Sequence, residues 1–382
     1  MEAFVSTARK SWNNDGSEIN LKSTARKMKR TIVSIKSIAD VRFLRQGFDH
    51  ASRGNKAYRK DVMAYDARLD ENLQRLSAQL LAGTWQPSGG RQFDLFTEGK
   101  WRVITDYPVE DRIVHWCLAE TFRFERHFIR RTFGCIRKRG TLKASKQVRR
   151  DLFDSGYRYV VKLDVRKFYP SINRQCLMEM VRRYYKGEAA IRLFEKVIMS
   201  YMNGIPTGVS IGSYLSQSVG NYYLTRFDKF CLENLKLHYY TRFVDDIVVV
   251  VRSKEGCGKM IEAMKQEAGK IGLVFGKIAV FDIGKRRCDF CGYAIDENGV
   301  KVRKSTRLHF SQKMRALQRR VDAGGKVKES DRSSICSYLG LMQHAREVQY
   351  IHQQNRMYHE VIKRINRHAS RRRRKVRKAA TA

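Results

Sequence analysis

Two acidic motifs of this chain combine residue types and spacing that could support metal chemistry. In "YTRFVDDIVVVV", Asp245 and Asp246 stand side by side at the start of a valine-rich run that is typical of a buried strand. Neighbouring side chains of a strand point to opposite faces, and burying an unpaired charge is costly. The pair is therefore predicted to lie at a tight turn between two strands and to bind a cation. Two solvated acids on a surface turn are the alternative interpretation.

A third carboxylate, Asp164, ends the apolar run of "VVKLDVRKFYPSI". Three carboxylates at the ends of adjacent antiparallel strands could hold two Mg²⁺ ions, because Mg²⁺ prefers oxygen ligands and usually binds one or two carboxylates together with substrate phosphates. Two such ions stabilise both the attacking and the leaving oxygen of a phosphoryl transfer. The three aspartates together predict polymerase chemistry.

The segment Gly204–Asp228 lies between the two acidic motifs and joins a glycine-rich turn to a helix of small and polar residues. Small side chains allow a nucleotide and a template base to approach the backbone closely. A glycine-rich loop alone is weak support for a nucleotide site, but its place between two acidic strand ends makes it more specific.

Composition indicates a polyanionic partner. The chain has 382 residues, and 77 Lys and Arg against 38 Asp and Glu give a net charge of +39. Nucleic acid is the default partner for such a surplus, with an anionic membrane surface as the alternative. The sequence has no run of about 18 apolar residues and its first residues are polar, so we expect neither a membrane span nor a signal peptide.

Eight cysteines without a framework spacing predict reduced thiols in a cytoplasmic protein. The close pair Cys288 and Cys291 lacks the further ligands that a structural zinc site needs.

The elements that must position these motifs follow from periodicity. Leucines at helical spacing predict a helix that begins at Leu69 and ends at Gly83. "KWRVITDYP" alternates like a strand, and "EDRIVHWCLAETFRFERHF" follows it as a helix with acids in its first turn. A strand, "YRYVVKLDV", leads to Asp164, helices are expected over 173–202 and from Ser213, and the chain after "FCGYAI" is basic and helical.

In this order and spacing, "KLDVRKFYPSI", "IGSYLSQSVGNYYL", "RFVDDIVVV", "GLVFGK" and "FCGY" resemble the palm motifs of reverse transcriptases. "KWRVITDYPVEDRIVHWCLAE" and "TFGCIRKRGTLKA" are similar to the fingers motifs of the bacterial members, and "ICSYLGLMQHA" is similar to their thumb. The resemblance implies an α+β right-hand polymerase fold. Its parts would be a basic N-terminal extension (1–34), fingers (35–155), a palm with antiparallel sheet and some inserted fingers residues (156–300), a helical thumb (301–368) and a disordered basic tail (369–382).

The resemblance also implies the residues of an active site. Asp164, Asp245 and Asp246 would be catalytic and, with Val165, would hold two Mg²⁺ ions, with Mn²⁺ as an alternative. Tyr169 matches an aromatic gate beneath the sugar that selects deoxynucleotides; a core tyrosine is the alternative interpretation.

The resemblance also implies residues that would bind the deoxynucleoside triphosphate. Lys100 and Arg102 lie on the presumed fingers hairpin that contacts the triphosphate, although either could be a charge on a solvated face. Lys277 matches a lysine near the leaving pyrophosphate. The remaining matches are Ile211, Gly212 and Gln217 in the middle palm motif, with Arg112 and Arg137 as weaker candidates for template or triphosphate contact.

One departure from the usual middle palm motif points to a particular class within the reverse transcriptases. Most reverse transcriptases have a glutamine before the glycine of the middle motif and Ser-Pro downstream, whereas this chain has Ile211 before Gly212 and then Ser216-Gln217. This pattern resembles the reverse transcriptases of diversity-generating retroelements, which copy a template RNA into error-prone cDNA. A missing amide removes hydrogen bonds near the incoming nucleotide and weakens discrimination. Ser210 also departs from the usual proline, and "GIPTG" upstream allows an alignment shifted by four residues.

The implied partners are template RNA, the RNA–DNA duplex, deoxynucleoside triphosphates and a small basic accessory protein of the retroelement, in the cytoplasm of a bacterium or a phage host. The alternatives are a phage-defence, retron or group II intron-like reverse transcriptase. From another class, an inactive, maturase-like RNA-binding protein is the alternative, which the three intact aspartates argue against.

Overall fold

The computed structural model describes residues 30–97, 99–201, 205–296 and 299–345, and the single positions 351, 353, 356, 359, 361 and 363. Helices and mainly antiparallel strands alternate along these ranges, which confirms the predicted α+β class. The basic tail 369–382 and residues 1–29 of the predicted extension lie outside the described residues. The predicted domain borders stay predictions.

A four-stranded antiparallel sheet lies at the centre, in the spatial order β6-β7-β4-β8. Its strands are β4 (Tyr159–Val165), β6 (Tyr240–Phe243), β7 (Asp246–Val251) and β8 (Phe275–Asp282). The valine-rich run of β7 is apolar throughout because both faces of the sheet are covered, one by each of two hydrophobic cores. Ile247 and Val249 face the first core, and Val248 and Val250 face the second.

Three smaller sheets surround the central one, and their strand orders are β2-β3, β11-β10-β9 and β1-β5. The β2-β3 pair is an antiparallel hairpin that follows the first helices, and β1 pairs with β5 in parallel. The strands are β1 (Thr31–Ile32), β2 (Arg91–Thr97), β3 (Lys100–Asp106), β5 (Tyr185–Lys186), β9 (Cys288–Phe290), β10 (Tyr293–Asp296) and β11 (Gly299–Val302).

Helices supply most of both cores. They are α1 (Ile35–Ile38), α2 (Val41–Ala51), α3 (Lys60–Asp66), α4 (Leu69–Ala82), α5 (Val109–Phe122), α6 (Thr141–Ser155), α7 (Phe168–Ser171), α8 (Arg174–Tyr184), α9 (Glu188–Met199), α10 (Tyr214–Tyr223), α11 (Thr225–Lys229), α12 (Cys257–Gly269), α13 (Lys304–Asp322) and α14 (Glu329–His344). Buried side chains of α2, α4, α5, α9 and α10 belong to the first core, and those of α6, α13 and α14 belong to the second.

Local patterns predicted several of these elements. Helix α4 begins at Leu69 and ends before Gly83, whose φ of +73° suits a residue without a side chain. Helix α5 is shorter than predicted, because Arg123 adopts a left-handed conformation and a 3₁₀ turn, Phe124–His127, follows. The chain after "FCGYAI" is not directly helical, since strand β11 precedes helix α13.

Candidate active site

The two adjacent aspartates lie at a tight turn, as the sequence predicts. Strand β6 ends at Phe243, Val244 and Asp245 form the turn, and strand β7 begins at Asp246. The register of β4 and β7 places Asp164 directly opposite Asp246. Three carboxylates therefore come from one end of two antiparallel strands and the turn beside them.

Val165 secures the turn from the neighbouring strand. Its backbone N–H donates to the Asp245 carbonyl oxygen over 3.2 Å. Its apolar side chain is buried, so only its own carbonyl oxygen could serve as the metal ligand that the resemblance implies.

The electrostatics of the turn favour a bound cation. Burial raises the pKa of Asp245 from 3.8 to about 6, and the charge of Asp164 adds to this, while the Asp245 backbone N–H, Lys100 and Arg102 oppose it. Burial also raises the pKa of Asp246 to about 6, and the charges of Asp245 and Asp164 act in the same direction. A cation between these carboxylates would relieve both the repulsion and the burial penalty.

Lys162 supplies one positive charge at this place. Its Nζ lies 3.1 Å from Asp246 Oδ2 and donates over 2.5 Å to the Asp289 carbonyl oxygen in strand β9. Because Lys162 is two residues before Asp164 on the same strand, both side chains point to one face of the sheet. Lys162 thus ties a carboxylate of the turn to the β9-β10 hairpin.

The carboxylate oxygens of the three aspartates have the right chemistry to bind a hard divalent ion, but these side chains are not grouped as a set of ligands. Asp246 Oδ1 is buried and has no hydrogen-bond partner, and carboxylate oxygens are the ligands that such ions prefer. Among the described residues, however, no three His, Cys, Asp or Glu side chains are grouped so that they could hold an ion. The fit to a metal ion therefore rests on the chemistry of these carboxylate oxygens.

The β2-β3 hairpin carries two cations that lie near the turn. Lys100 pairs with Thr97, and Arg102 with Leu95, so both side chains lie on the same face of the β2-β3 hairpin. Both are close enough to lower the pKa of Asp245. The structure thus associates the two predicted triphosphate contacts with the acidic turn.

Tyr169 also lies beside the turn. Burial, with the nearby Cys135 and Asp245, raises its pKa. Behind it, a Cβ on Gly220 of helix α10 would come within 3.1 Å of the rings of both Phe168 and Tyr169. The glycine therefore allows these rings to pack against the helix.

Ile211 and Gly212 connect the middle motif to the β2-β3 hairpin. The Thr105 N–H of strand β3 donates to the Ile211 carbonyl oxygen over 2.8 Å. Gly212 has a φ of +128°, and a Cβ there would lie 2.2 Å from the Thr105 carbonyl oxygen. Only glycine fits this close approach of two backbones.

The other predicted site residues differ in their positions. Lys277 is exposed on β8, the strand next to Asp164, and Gln217 is exposed on α10. Arg137 pairs with Glu120 at 2.9 Å, and the largely buried Arg112 lies 3.4 Å from Asp61. Neither of these two ion pairs includes a residue of the acidic turn.

Sequence reasoning missed three polar residues around the turn: Lys162, Cys135 and Arg242. The available signal was a charge inside an apolar strand, in "VVKLD" for Lys162 and "YTRFV" for Arg242. Such a charge needs a buried partner, but the pattern does not name that partner.

Comparison with known proteins identifies the family. Residues 90–295, which contain all three aspartates and the β2-β3 hairpin, match the family described as "Reverse transcriptase (RNA-dependent DNA polymerase)". The chain belongs to the reverse transcriptase family. This confirms the predicted polymerase class and the right-hand polymerase fold that the motifs implied.

Two relatives come from Escherichia coli. Protein YkfC of strain K12 is 27% identical over 179 residues, which cover 44% of this chain and 47% of that protein. Retron Ec73 reverse transcriptase is 24% identical over 225 residues, which cover 55% of this chain and 69% of that protein. The reverse transcriptase chain thus spans about half the length of Protein YkfC.

Solved structures with a similar course of the chain include two telomerases. Apo telomerase from Candida tropicalis, truncated from the C-terminal domain, has a TM-score of 0.45 at 15% identity. The match covers 61% of this chain and 60% of the telomerase chain. Telomerase from Candida albicans, in complex with the TWJ fragment of telomeric RNA, has a TM-score of 0.43 at 12% identity. The match covers 72% of this chain and 55% of the telomerase chain.

Within the described part of this reverse transcriptase, no helix has the length and apolar character that a membrane crossing requires.

Proposed function

We propose that this reverse transcriptase copies a template RNA into cDNA by metal-dependent nucleotidyl transfer. The observation that carries the proposal is the turn Val244–Asp245, which places Asp245 beside the facing pair Asp164 and Asp246. A degenerate, purely RNA-binding protein has no need to retain three carboxylates at one sheet end, where two of them have raised pKa values.

The three aspartates, with the Val165 carbonyl oxygen, would hold divalent ions, Mg²⁺ or alternatively Mn²⁺. When bound, two such ions lower the pKa of the attacking hydroxyl and neutralise charge on the leaving pyrophosphate. The unpartnered Asp246 Oδ1 supports this assignment. Lys162 fixes the other oxygen of Asp246 and so limits how that carboxylate can turn.

The cations of the hairpin would orient the deoxynucleoside triphosphate. Lys100 and Arg102 of the β2-β3 hairpin are close enough to lower the pKa of Asp245, and a triphosphate between them and the aspartates would meet positive charge on the side away from the carboxylates. Lys277, exposed on the strand beside Asp164, would approach the leaving pyrophosphate. Tyr169 would lie beneath the sugar and exclude a 2′-hydroxyl by contact with its ring.

The net charge of +39 supports a template RNA and an RNA–DNA duplex as partners, held through phosphate contacts that weaken with salt. All eight cysteines are free, in keeping with the reducing cytoplasm that we propose as the site of action. A small basic accessory protein would complete the retroelement.

Within the family we propose the diversity-generating class. Ile211 stands before Gly212 where most reverse transcriptases have glutamine, and Gln217 follows Ser216. A retron or phage-defence enzyme is the second candidate, and the 24% identity to retron Ec73 reverse transcriptase favours it.

Primer extension tests the proposed activity. The purified protein should extend oligo(dT) on poly(rA) with dTTP and Mg²⁺, and Asp245→Asn should abolish extension while it leaves RNA affinity unchanged. Asp154→Asn, an exposed acid of helix α6, is the matched control and should keep full activity. Extension by Asp245→Asn at the rate of the control would contradict the proposal.

A further inference from the structure

A fully buried ion pair lies directly behind the acidic turn. Arg242 of strand β6 and Asp228 of helix α11 both have 0% exposed side chains. Arg242 Nε donates to Asp228 Oδ1 over 2.7 Å, and Nη2 donates to Asp228 Oδ2 over 2.5 Å. The Tyr240 hydroxyl donates to Asp228 Oδ1 over 2.6 Å. The carboxylate thus holds the guanidinium in one orientation.

The remaining donor of this guanidinium reaches the turn itself. Arg242 Nη1 donates to the Val244 carbonyl oxygen over 2.8 Å and to Asn221 Oδ1 over 2.9 Å. Val244 immediately precedes Asp245, so its carbonyl belongs to the peptide that carries the Asp245 N–H. A fixed Arg242 therefore fixes the plane of the peptide that enters the catalytic aspartate.

Val244 needs such support because its backbone is strained. Its φ of +57° lies in the left-handed region, which a β-branched residue avoids. The opposite side of Val244 is closed by Gly134, where a Cβ would lie 2.4 Å from Val244 Cγ2. Asn221 Nδ2 donates to the Gly134 carbonyl oxygen over 2.7 Å. Arg242 and Gly134 thus enclose the strained residue from two sides.

Stability alone gives no reason for this network. Desolvating two charges offsets most of their attraction, so well-packed apolar residues commonly replace a buried ion pair without loss of stability. Strained residues at active sites persist where surrounding contacts over-determine them, and here six hydrogen bonds of one guanidinium converge beside a catalytic turn.

We propose that Arg242 is a positioning residue that holds the Val244 carbonyl and thereby sets the place of Asp245, with Asp228 and Asn221 as its supports. This inference rests on the proposed polymerase function, in which Asp245 must lie within a fraction of an ångström of its working position. It assigns Arg242 no contact with substrate or metal.

The test uses Arg242→Lys, which keeps the charge beside Asp228. A lysine cannot reach Asp228, Asn221 and Val244 together, because its single ammonium lacks the planar fork of arginine. On poly(rA)/oligo(dT), kcat should fall about 100-fold, the loss typical of a displaced catalytic group. The KM for dTTP and the RNA affinity should stay unchanged. Asn221→Ala, which leaves the buried Arg242–Asp228 ion pair intact, should also lower kcat, but by a smaller factor.

Leu76→Ala in helix α4 is the control for lost stability, since Leu76 is fully buried far along the chain from the turn. It should lower the melting temperature but keep kcat at temperatures where the protein is folded. Wild-type kcat in folded Arg242→Lys, or in Asn221→Ala if the lysine variant does not fold, would overturn the inference.

Amide hydrogen exchange separates this inference from the proposed function. The Val165 N–H donates to the Asp245 carbonyl oxygen and reports directly on the turn. It should exchange faster in Arg242→Lys than in the wild type, with no change in Leu76→Ala. This outcome does not depend on polymerase activity, and equal exchange in all three proteins would overturn the positioning role. An inactive wild type would count against the proposed function alone.

Discussion

Gly212→Ala should disconnect the β2-β3 hairpin from the middle motif. A Cβ at this position would lie 2.2 Å from the Thr105 carbonyl oxygen, and the residue has a φ of +128°. Neither backbone can yield locally, because the Thr105 N–H is bonded to the Ile211 carbonyl oxygen over 2.8 Å. The substitution must therefore separate strand β3 from the loop.

The magnitude follows from two contributions. A non-glycine residue in a sparsely populated backbone region costs about 1–3 kcal/mol. The lost hydrogen bond between Thr105 and Ile211 costs a further ~0.5–1.5 kcal/mol. Together, about 1.5–4.5 kcal/mol reduces the population with an anchored hairpin by roughly 10- to 2,000-fold, at 1.36 kcal/mol for each factor of ten. Because Lys100 and Arg102 are on this hairpin, kcat/KM for the incoming nucleotide should fall by a similar factor.

Steady-state extension of oligo(dT) on poly(rA) at varied dTTP measures this loss. Gly299→Ala is the matched control, since Gly299 has a φ of +151° and nothing within 4 Å of an added Cβ. It carries the backbone strain without the collision and lies outside the hairpin. Equal kcat/KM values for the two alanine variants would refute the reasoning from the Thr105 contact.

Three further predictions concern fidelity, RNA binding and pH. Ile211→Gln should lower misincorporation about three- to tenfold, most at template adenine, because an amide can add a hydrogen bond; sequenced cDNA with an unchanged error spectrum would remove the fidelity role. Deleting Arg371–Lys378 should flatten the slope of log affinity against log salt, and an unchanged slope would exclude contact by this segment. Without metal, Asp245→Asn should stabilise the protein by about 1–2 kcal/mol at pH 7.5 and leave it unchanged at pH 4. A carboxyl group whose pKa is raised on folding contributes stability that is fully present below pH 3.8 and is lost as the pH rises through about 6. Equal gains in thermal denaturation at both pH values would contradict this assignment.

The sequence predicted what local pattern determines. The alternation rule required a turn at Asp245 and Asp246, and the structure has that turn. Helical spacing and Gly83 predicted the bounds of helix α4. The hypothesis that the carboxylates stand at the ends of adjacent antiparallel strands is confirmed for Asp164 and Asp246.

Contacts between distant residues could not be predicted in this way. The partners of Arg242 include Asp228 and Asn221, which belong to two different helices, and no periodicity indicates that these side chains meet. Gly212 was predicted to border the nucleotide, yet the contact that requires glycine there is with Thr105, more than a hundred residues earlier. Such pairings depend on how elements that are distant in the sequence, such as strand β3 and the loop of Gly212, pack together, which is a tertiary and not a local property.

Single-nucleotide extension of a primer on RNA tests the central claim most directly. Wild-type protein, Asp164→Asn and Asp154→Asn should be mixed with the same oligo(dT)–poly(rA) duplex, dTTP and Mg²⁺, with chelator added to a parallel sample. We expect an extended primer with wild type and Asp154→Asn, and none with Asp164→Asn or with chelator. Equal extension by Asp164→Asn, or extension that survives the chelator, would contradict the assignment of the acidic turn as a metal-dependent polymerase site.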